Sequence, residues 1–513
     1  MKKKIVYLPL DERPCNYNFP FRLFSCNDFN IVRPEKLGNK KEPADVHEIA
    51  SFLKQECKEA DGLVLSVDML LYGGLVPSRL HNSEISDLKK LAITIREIRE
   101  ANPKMIIYAF QCIMRCPSYS SNDEEPDYYE NSGELIHQAG EALHRSRLGL
   151  CKSGQLKAVL KKIDKADLTD YVSRRERNRA LNYQMISYVK DRLIDLLVIP
   201  QDDSAAYGYA AMDQQDVREQ IMKEGLQSKI LMYPGADEVG LTLLSRMVNT
   251  MTGKKPKVYV KYASEGAKSV LPIYEGSSLE NTIRYQILAA GCQRADSYET
   301  ADIILAVTAP AEKIEEAINQ PSSARGYCVE RCLPELIDFI NERVKEGKIV
   351  SIADNAYGNG GELQLIRMLD RCGLLDKVAG YAGWNTSANT LGTAIAEGVQ
   401  FYHFGRTQSN YEFLMERYVE DAGYCAQVRW QVNEMLPKYG MNYFNVAEEN
   451  GTVSNLVRDG LVQFISDYMP SVASQIKLEK VWMPWRRMFE VGLQISCCTG
   501  IAGIVKESND ENK

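Results

Sequence analysis

The sequence predicts an α/β fold with mainly parallel sheets, because short apolar segments alternate along the chain with longer amphipathic segments. The apolar segments are continuous rather than alternating, which is typical of strands buried on both faces. About eleven such segments occur, more than the eight strands of a single barrel. We therefore expect two α/β units built from right-handed β-α-β crossovers, with an enlarged barrel of the triosephosphate-isomerase type as the alternative.

The predicted strands follow one another from the N-terminus. They are KIVYLPL, FNIVRP, GLVLSVDM, MIIYAFQC, LLVIPQDD, KILMYPGADE, KVYVKYAS, ADIILAVTAP, KIVSIADN, KVAGYAGWN and VQFYHFG. Helix-like segments with apolar residues at helical spacing separate them. Clear examples are ISDLKKLAITIREIRE, VREQIMKEGLQ and CLPELIDFINERVKEG.

The order of these segments predicts three regions. Residues 1–252 form a first α/β unit, which contains a charged helical insertion near 118–195. Residues 253–406 form a second α/β unit, and residues 407–513 form a helical or mixed C-terminal region. The RRERNR cluster within the insertion is interpreted as a solvated helix face.

Composition limits the class of protein. The chain has 513 residues, of which 45% are hydrophobic and 26% charged, and this balance is typical of soluble globular proteins. The net charge of -7 argues against a nucleic-acid partner. No apolar stretch is long enough to span a membrane, and the N-terminus, MKKKIVYLPLDERP, is typical of a first strand rather than a signal peptide. The 13 scattered cysteines are typical of reduced thiols. We expect a cytoplasmic protein that acts on a small molecule, while the oligomeric state is left open.

Polar side chains follow most of the predicted strands. Because ligands of parallel α/β sheets bind at the carboxyl ends of the strands, these side chains are the candidate site. The candidates in the first unit are Asp11, Arg13, Asp68, Tyr72, Arg79, Arg115, Asp202, Asp203 and Asp237. The candidates in the second unit are Asp354, Asn355, Tyr357, Trp384 and Asn385.

The adjacent pair Asp202 and Asp203 indicates the chemistry. Two close carboxylates cannot both ionise cheaply, so the pKa of one rises, which suits a general acid. Cleavage of a glycosidic bond needs such an acid together with a second carboxylate. Aromatic residues such as Trp384 can stack on a sugar ring, and Asn or Arg side chains can bind its hydroxyls. The pair therefore predicts a glycoside hydrolase with Asp202 and Asp203 as its catalytic residues.

Other chemistries have less support. The five histidines are scattered, which disfavours a Ser-His-Asp triad or a histidine-rich zinc site. The YGNGG segment lacks the spacing of a dinucleotide or P-loop site, so we expect no organic cofactor.

Two alternative functions remain open. One is a divalent-metal enzyme in which Asp oxygens bind Mg²⁺ or Mn²⁺, while Arg13, Arg79 and Arg115 hold a phosphorylated or carboxylated substrate. The other is a non-catalytic protein that binds a sugar or another small molecule between its two units.

The motifs at the strand ends carry two resemblances. The set PLDERPCN, SVDMLLYGGLVPSR, PQDDSAAYG, PGADEVG, DNAYGNGG and GWNTSANTLGT resembles a bacterial family of proteins of unknown function, roughly from Lys4 to Thr393. This resemblance implies no established activity. A weaker one, limited to three strand ends, is to retaining hexosaminidases of the O-GlcNAcase type, although the surrounding motifs differ. It implies that Asp202 orients an acetamido group and that Asp203 is the acid/base. It further implies that Asp354, Asn355 and Asn385 hold sugar hydroxyls.

Overall fold

The first sheet organises the N-terminal half of the chain. The computed structural model describes residues 2–26, 28–150 and 154–498. The sheet has six parallel strands in the order β2-β1-β3-β4-β5-β6. Its strands are β1 (Lys3–Leu8), β2 (Phe29–Val32), β3 (Gly62–Ser66), β4 (Ile106–Phe110), β5 (Leu196–Gln201) and β6 (Ile230–Pro234).

A second parallel sheet follows in the order β13-β11-β9-β7-β8. Its strands are β7 (Lys257–Tyr262), β8 (Gln293–Arg294), β9 (Ile303–Val307), β11 (Ile349–Ala353) and β13 (Gly380–Ala382). The remaining strands of the described residues form two small two-stranded sheets. One pairs β10 (Glu315–Glu316) with β12 (Tyr357–Gly358), and the antiparallel one pairs β14 (Ile476–Trp482) with β15 (Gly492–Cys497).

Helices connect the strands and cover both sheets. In the first half they are α1 (Pro14–Tyr17), α2 (Phe19–Phe24), α3 (Val46–Glu56), α4 (Val67–Tyr72), α5 (Leu75–Leu80), α6 (Ile85–Ala101), α7 (Tyr129–Arg147), α8 (Gly154–Leu160), α9 (Lys165–Lys190), α10 (Tyr209–Lys223) and α11 (Val239–Thr252). Later in the chain they are α12 (Leu279–Ala289), α13 (Arg325–Cys328), α14 (Leu333–Lys345), α15 (Leu363–Arg371), α16 (Ser387–Phe404), α17 (Gln408–Arg417), α18 (Arg429–Asn433) and α19 (Thr452–Tyr468).

The prediction of parallel α/β sheets is confirmed, and both main sheets are open. Neither closes into a barrel within the described part of the chain. The sheets are joined through helices: α11 packs on β3 and β4, α16 packs on β9, β11 and β13, and the two helices pack on each other. One apolar core therefore extends from Ile5 of the first sheet to Leu305 of the second.

Helix α16 corrects one strand prediction. The segment VQFYHFG, predicted as a strand, forms the last turns of α16 and its C-terminal Gly405. Residues 387–400 of this helix are all buried, so the helix is enclosed on all of its faces over this stretch. A short apolar run within a buried helix has the same composition as a buried strand, which explains the error.

The RRERNR cluster also differs from its interpretation. It lies on α9, where Arg174 and Arg175 are buried rather than solvated. Arg175 binds Asp213 of α10 at 2.6 Å, so this helix face packs against the first unit.

The C-terminal region combines helices with the β14–β15 hairpin. A π-helical segment, Tyr418–Val428, continues α17 into α18. Within it, Glu420 and Asp421 both bind Arg417, which has no exposed surface. Residues 499–513 of the predicted region lie outside the described residues. No helix among residues 2–26, 28–150 and 154–498 is long and apolar enough to cross a membrane.

Candidate functional site

A cavity of about 250 Å³ lies at the carboxyl ends of the two main sheets. Segments that follow strands of the first sheet contribute Arg115, Asp203 and Asp237 to its wall, and segments that follow strands of the second contribute Glu275 and Asn385. The C-terminal hairpin region closes the cavity. Polar strand ends from both sheets therefore meet around one space, as expected for a ligand site of an α/β protein.

Asp202 and Asp203 both line this cavity. They follow Gln201, the last residue of β5, and Asp203 has a left-handed backbone with φ of 35°. Aspartate tolerates this region better than most residues. Arg79 donates to Asp202 at 2.7 Å, and Arg115 donates to Asp203 at 2.9 Å. Each carboxylate of the pair is thus held by its own arginine.

The carboxyl groups differ in acidity. Burial and the neighbouring Asp202 charge raise the pKa of Asp203 to about 6, although Arg115 and Arg79 oppose the rise. The pKa of Glu124 is lowered rather than raised, because three of its neighbours are arginines. Burial alone would raise its pKa, but the guanidinium groups around it hold the pKa well below its ordinary value. The site therefore contains a carboxyl that titrates near pH 6 beside a permanent carboxylate.

Glu124 joins three arginines into one ion network. Its Oε2 accepts from Arg79 at 2.8 Å and from Arg115 at 3.0 Å, while its Oε1 accepts from Arg487 at 2.5 Å. Arg115 also donates to Glu125 at 2.8 Å. Removing water from these charges is costly, and the multiple hydrogen bonds offset that cost. The network fixes the part of the cavity wall that contains Asp202 and Asp203.

A second ion cluster forms another part of the wall. Arg13 binds both Asp11 and Asp237 at 2.6 Å. Asn385 of the second sheet donates to Asp237 at 3.3 Å, so the two sheets are tied together here. Trp485 lies within cation–π distance of Arg13 and donates to Glu12 at 2.6 Å. The first loop of the chain is thereby held against its C-terminal region.

Several polar atoms of the wall have no hydrogen-bond partner among the described residues. They are Gln201 Nε2, Glu125 Oε2, Glu275 Oε2 and Asn389 Oδ1. Buried polar atoms are normally paired, so atoms of this kind around a cavity indicate a polar ligand or ordered water. Burial raises the pKa of Glu275 to about 8, with the Glu238 charge adding to the rise.

Aromatic side chains supply the apolar part of the wall. They are Tyr119, Tyr274, Tyr443, Phe444 and Phe489. Trp384, which was predicted to stack on a ligand, lines a smaller adjoining space of about 30 Å³ together with Asn359 and Arg429. The cavity thus combines ring faces with hydrogen-bonding groups.

The structure brings together half of the predicted site residues in the main cavity. Those that line it are Arg13, Arg79, Arg115, Asp202, Asp203, Asp237 and Asn385. Asp11 lies behind Arg13, which it orients.

Two predicted residues of the first unit lie outside the wall because helix α4 begins directly after β3. Asp68 falls in the first turn of this helix, where it accepts from the Cys112 N–H at 2.9 Å. Tyr72, at the end of the helix, stacks on His81. Both side chains are buried and contact protein rather than the cavity.

Three predicted residues of the second unit also lie outside the wall. Asp354 accepts from Thr308, Glu362 and Tyr381, so the protein itself satisfies this carboxylate. The Asn355 amide donates to the Ser387 carbonyl at 3.1 Å. The Tyr357 ring stacks on Tyr327. These residues support the second sheet behind the site.

Some residues of the wall were missed by the sequence analysis. Asp123, Glu124 and Glu125 belong to the segment SNDEEPDYY, which lies within the predicted insertion rather than at a strand end. The dense run of acidic residues was the available signal. Arg487 belongs to the C-terminal segment WMPWRRMFE. Glu275 lies in the segment between β7 and α12, not directly at the end of the strand. Their position depends on tertiary packing, which local patterns do not encode.

No group of three or more His, Cys, Asp or Glu side chains is arranged to hold a metal ion in the part of the chain that the structure describes. Apart from Glu275, the carboxylates of the wall bind arginines instead.

The fold and the site define an α/β protein with a cavity, lined by polar and aromatic side chains, at the carboxyl ends of two parallel sheets. Residues 5–494 match the family described as protein of unknown function, DUF4127, and the chain belongs to that family. None of the curated proteins compared with the chain shows significant similarity to it.

Proposed function

We propose that the protein is a glycoside hydrolase that acts on a small carbohydrate. Asp203 serves as the general acid/base, and Asp202 serves as the second carboxylate of the reaction. One observation carries this proposal: the two aspartates line one cavity, and the pKa of Asp203 is raised to about 6. A carboxyl with such a pKa is protonated often enough near neutrality to donate to a leaving oxygen.

The remainder of the wall suits a sugar. Its aromatic rings offer faces for the C–H bonds of a pyranose, and its unpartnered polar atoms can bind hydroxyls. A cavity of about 250 Å³ is near the lower end of small-molecule sites, which suits a mono- or disaccharide. We place the reaction in the cytoplasm, in keeping with the acidic charge and scattered cysteines, and assign it no organic cofactor.

A panel of aryl glycosides tests the proposal. The wild type is expected to cleave at least one of them, and Asp203→Asn is expected to lose about 10²- to 10⁴-fold in turnover. Asn is nearly isosteric with Asp and tolerates the left-handed backbone of this position. Asp202→Asn is expected to lose activity as well.

Asp296→Asn is the matched control, because Asp296 is exposed and lies outside the cavity wall. Turnover that is unchanged in Asp203→Asn would contradict its assignment. Ligand-induced thermal stabilisation by sugars, without turnover of any glycoside, would instead support the non-catalytic alternative.

A further inference from the structure

The wall of the main cavity has more carboxyl groups than cations. Its carboxyl groups are Asp123, Glu124, Glu125, Asp202, Asp203, Asp237 and Glu275. Its cations are Arg13, Arg79, Arg115 and Arg487. Seven acidic groups thus face four guanidinium groups, and the acidic groups outnumber the cations even when Glu275 is protonated.

The four arginines are already occupied by protein carboxylates. Arg115 directs all three of its nitrogens at acidic residues, namely Glu125, Asp203 and Glu124. Arg79 binds Glu124 and Asp202, and the remaining two arginines each bind at least two carboxylates. An anionic ligand would have to displace these pairs. The arrangement therefore disfavours a phosphorylated or carboxylated substrate.

Glu275 differs from the other acidic residues of the wall. Its Oε1 accepts from the Ala388 N–H at 2.7 Å, at the start of α16, and this bond fixes the carboxyl group. Its Oε2 has no hydrogen-bond partner among the described residues, and the residue is 8% exposed. No cation within 4.0 Å pairs with it in the described part of the chain. Glu275 thus brings to the cavity wall a buried carboxyl group whose charge no neighbouring cation pairs among the described residues.

Burial raises the pKa of Glu275 to about 8, and the Glu238 charge adds to the rise. The Ala388 N–H and the nearby Thr282 and Thr386 hydroxyls oppose it. Glu275 is therefore mainly protonated at pH 7. A cation placed at Oε2 would favour the ionised form, so its binding would release a proton.

We propose that the substrate carries a protonated amine and that Glu275 binds it through Oε2. Combined with the proposed glycosidase activity, on which the sugar part of this inference rests, the substrate class is an amino sugar with a free ammonium group. The aromatic wall adds to the preference, because ring faces attract ammonium groups.

Calorimetric titration of the full chain tests this inference without requiring turnover. The probes are glucosamine, N-acetylglucosamine, glucose and glucose 6-phosphate. Glucosamine is expected to bind about tenfold or more tighter than the three others, because a charge-assisted hydrogen bond to a buried carboxylate is lost in each of them. Titrations in buffers of different ionisation enthalpy are expected to show proton release with glucosamine alone.

Glu275→Gln is expected to abolish the preference for glucosamine, whereas Glu312→Gln, at an exposed position, is expected to keep it. If Glu275→Gln does not fold, the ranking of the four probes on the wild type decides. Equal or weaker binding of glucosamine relative to glucose, including no detectable binding of either, would overturn the inference. Cleavage of neutral glycosides together with such a ranking would overturn this inference and leave the glycosidase proposal standing. A preference for the amine without turnover of any glycoside would support this inference and contradict the glycosidase proposal.

Discussion

Arg115 donates to Asp203 at 2.9 Å while its other nitrogens bind two glutamates. The carboxyl group with the raised pKa is therefore in direct contact with a cation, and the cation limits how far the pKa rises. Burial and the Asp202 charge are the opposing influences. The balance keeps Asp203 within the range where a carboxyl can both donate and accept a proton.

The first prediction concerns pH. Asp203 must be protonated to act as the general acid, so the active form dominates below its pKa of about 6 and is lost as the pH rises. We expect kcat/KM on an aryl glycoside to fall about tenfold per pH unit above that value. A pH–rate profile measures this, and Asp203→Asn should lack the descending limb. Persistence of the same limb in the variant would assign it to another group.

The second prediction concerns Arg115, the cation that binds Asp203. Arg115→Gln removes the charge that opposes the rise, so the pKa of Asp203 should increase and the descending limb should move to higher pH. Arg79→Gln is the comparison, since Arg79 donates to Asp202 rather than to Asp203, and the limb should move less. Carbon NMR of the Asp203 carboxyl group measures the pKa of Asp203 directly. A shift to lower pH in Arg115→Gln would refute the electrostatic account.

The third prediction tests whether Asp354 stabilises the fold without taking part in ligand binding. Asp354→Asn places an amide where the carboxylate accepts from three donors, so buried groups lose their partners. The free energy of unfolding should fall by roughly 1–3 kcal/mol in urea titration. The affinity of the folded protein for a cavity ligand should not change, because Asp354 lies outside the wall. A weakened affinity at unchanged stability would place Asp354 in the binding site after all.

The fourth prediction concerns the π-helical segment. Arg417 is fully buried and binds Glu420 and Asp421, so Arg417→Met leaves two buried carboxylates without their cation. We expect a loss of about 3–5 kcal/mol in the free energy of unfolding. Arg325→Met is the control: the Arg325–Glu330 pair is largely exposed and should contribute less than about 1 kcal/mol. Equal effects of the two changes would contradict the importance of burial here.

The sequence allowed the parallel sheets to be predicted, because strands buried on both faces leave continuous apolar runs such as that of β5. The same signal failed for Val399–Gly405, where a helix buried along most of its length has an equivalent composition. The two strands of the C-terminal hairpin were not predicted individually. Exposed or half-buried residues interrupt both strands, so no continuous apolar run marks them.

Strand-end placement identified the part of the site that depends on topology alone, including Asp203 and Asp237. It could not separate these residues from Asp354, which also follows a strand but contacts only protein. It also could not find Glu124 or Arg487, because a loop and a hairpin reach the cavity through long-range packing. The direction of each side chain is set by contacts that are distant in sequence.

The hydrogen bond between Glu12 and Trp485 joins residues 473 positions apart. Together with Arg13 and Arg487, these residues make the cavity a product of both ends of the folded chain. On the ribosome, both parallel sheets can therefore be complete while the site is still open on one side. The capacity to hold a ligand should arise abruptly, when synthesis passes the hairpin, and a chain that stops before Trp485 should have both parallel sheets but not its complete binding site.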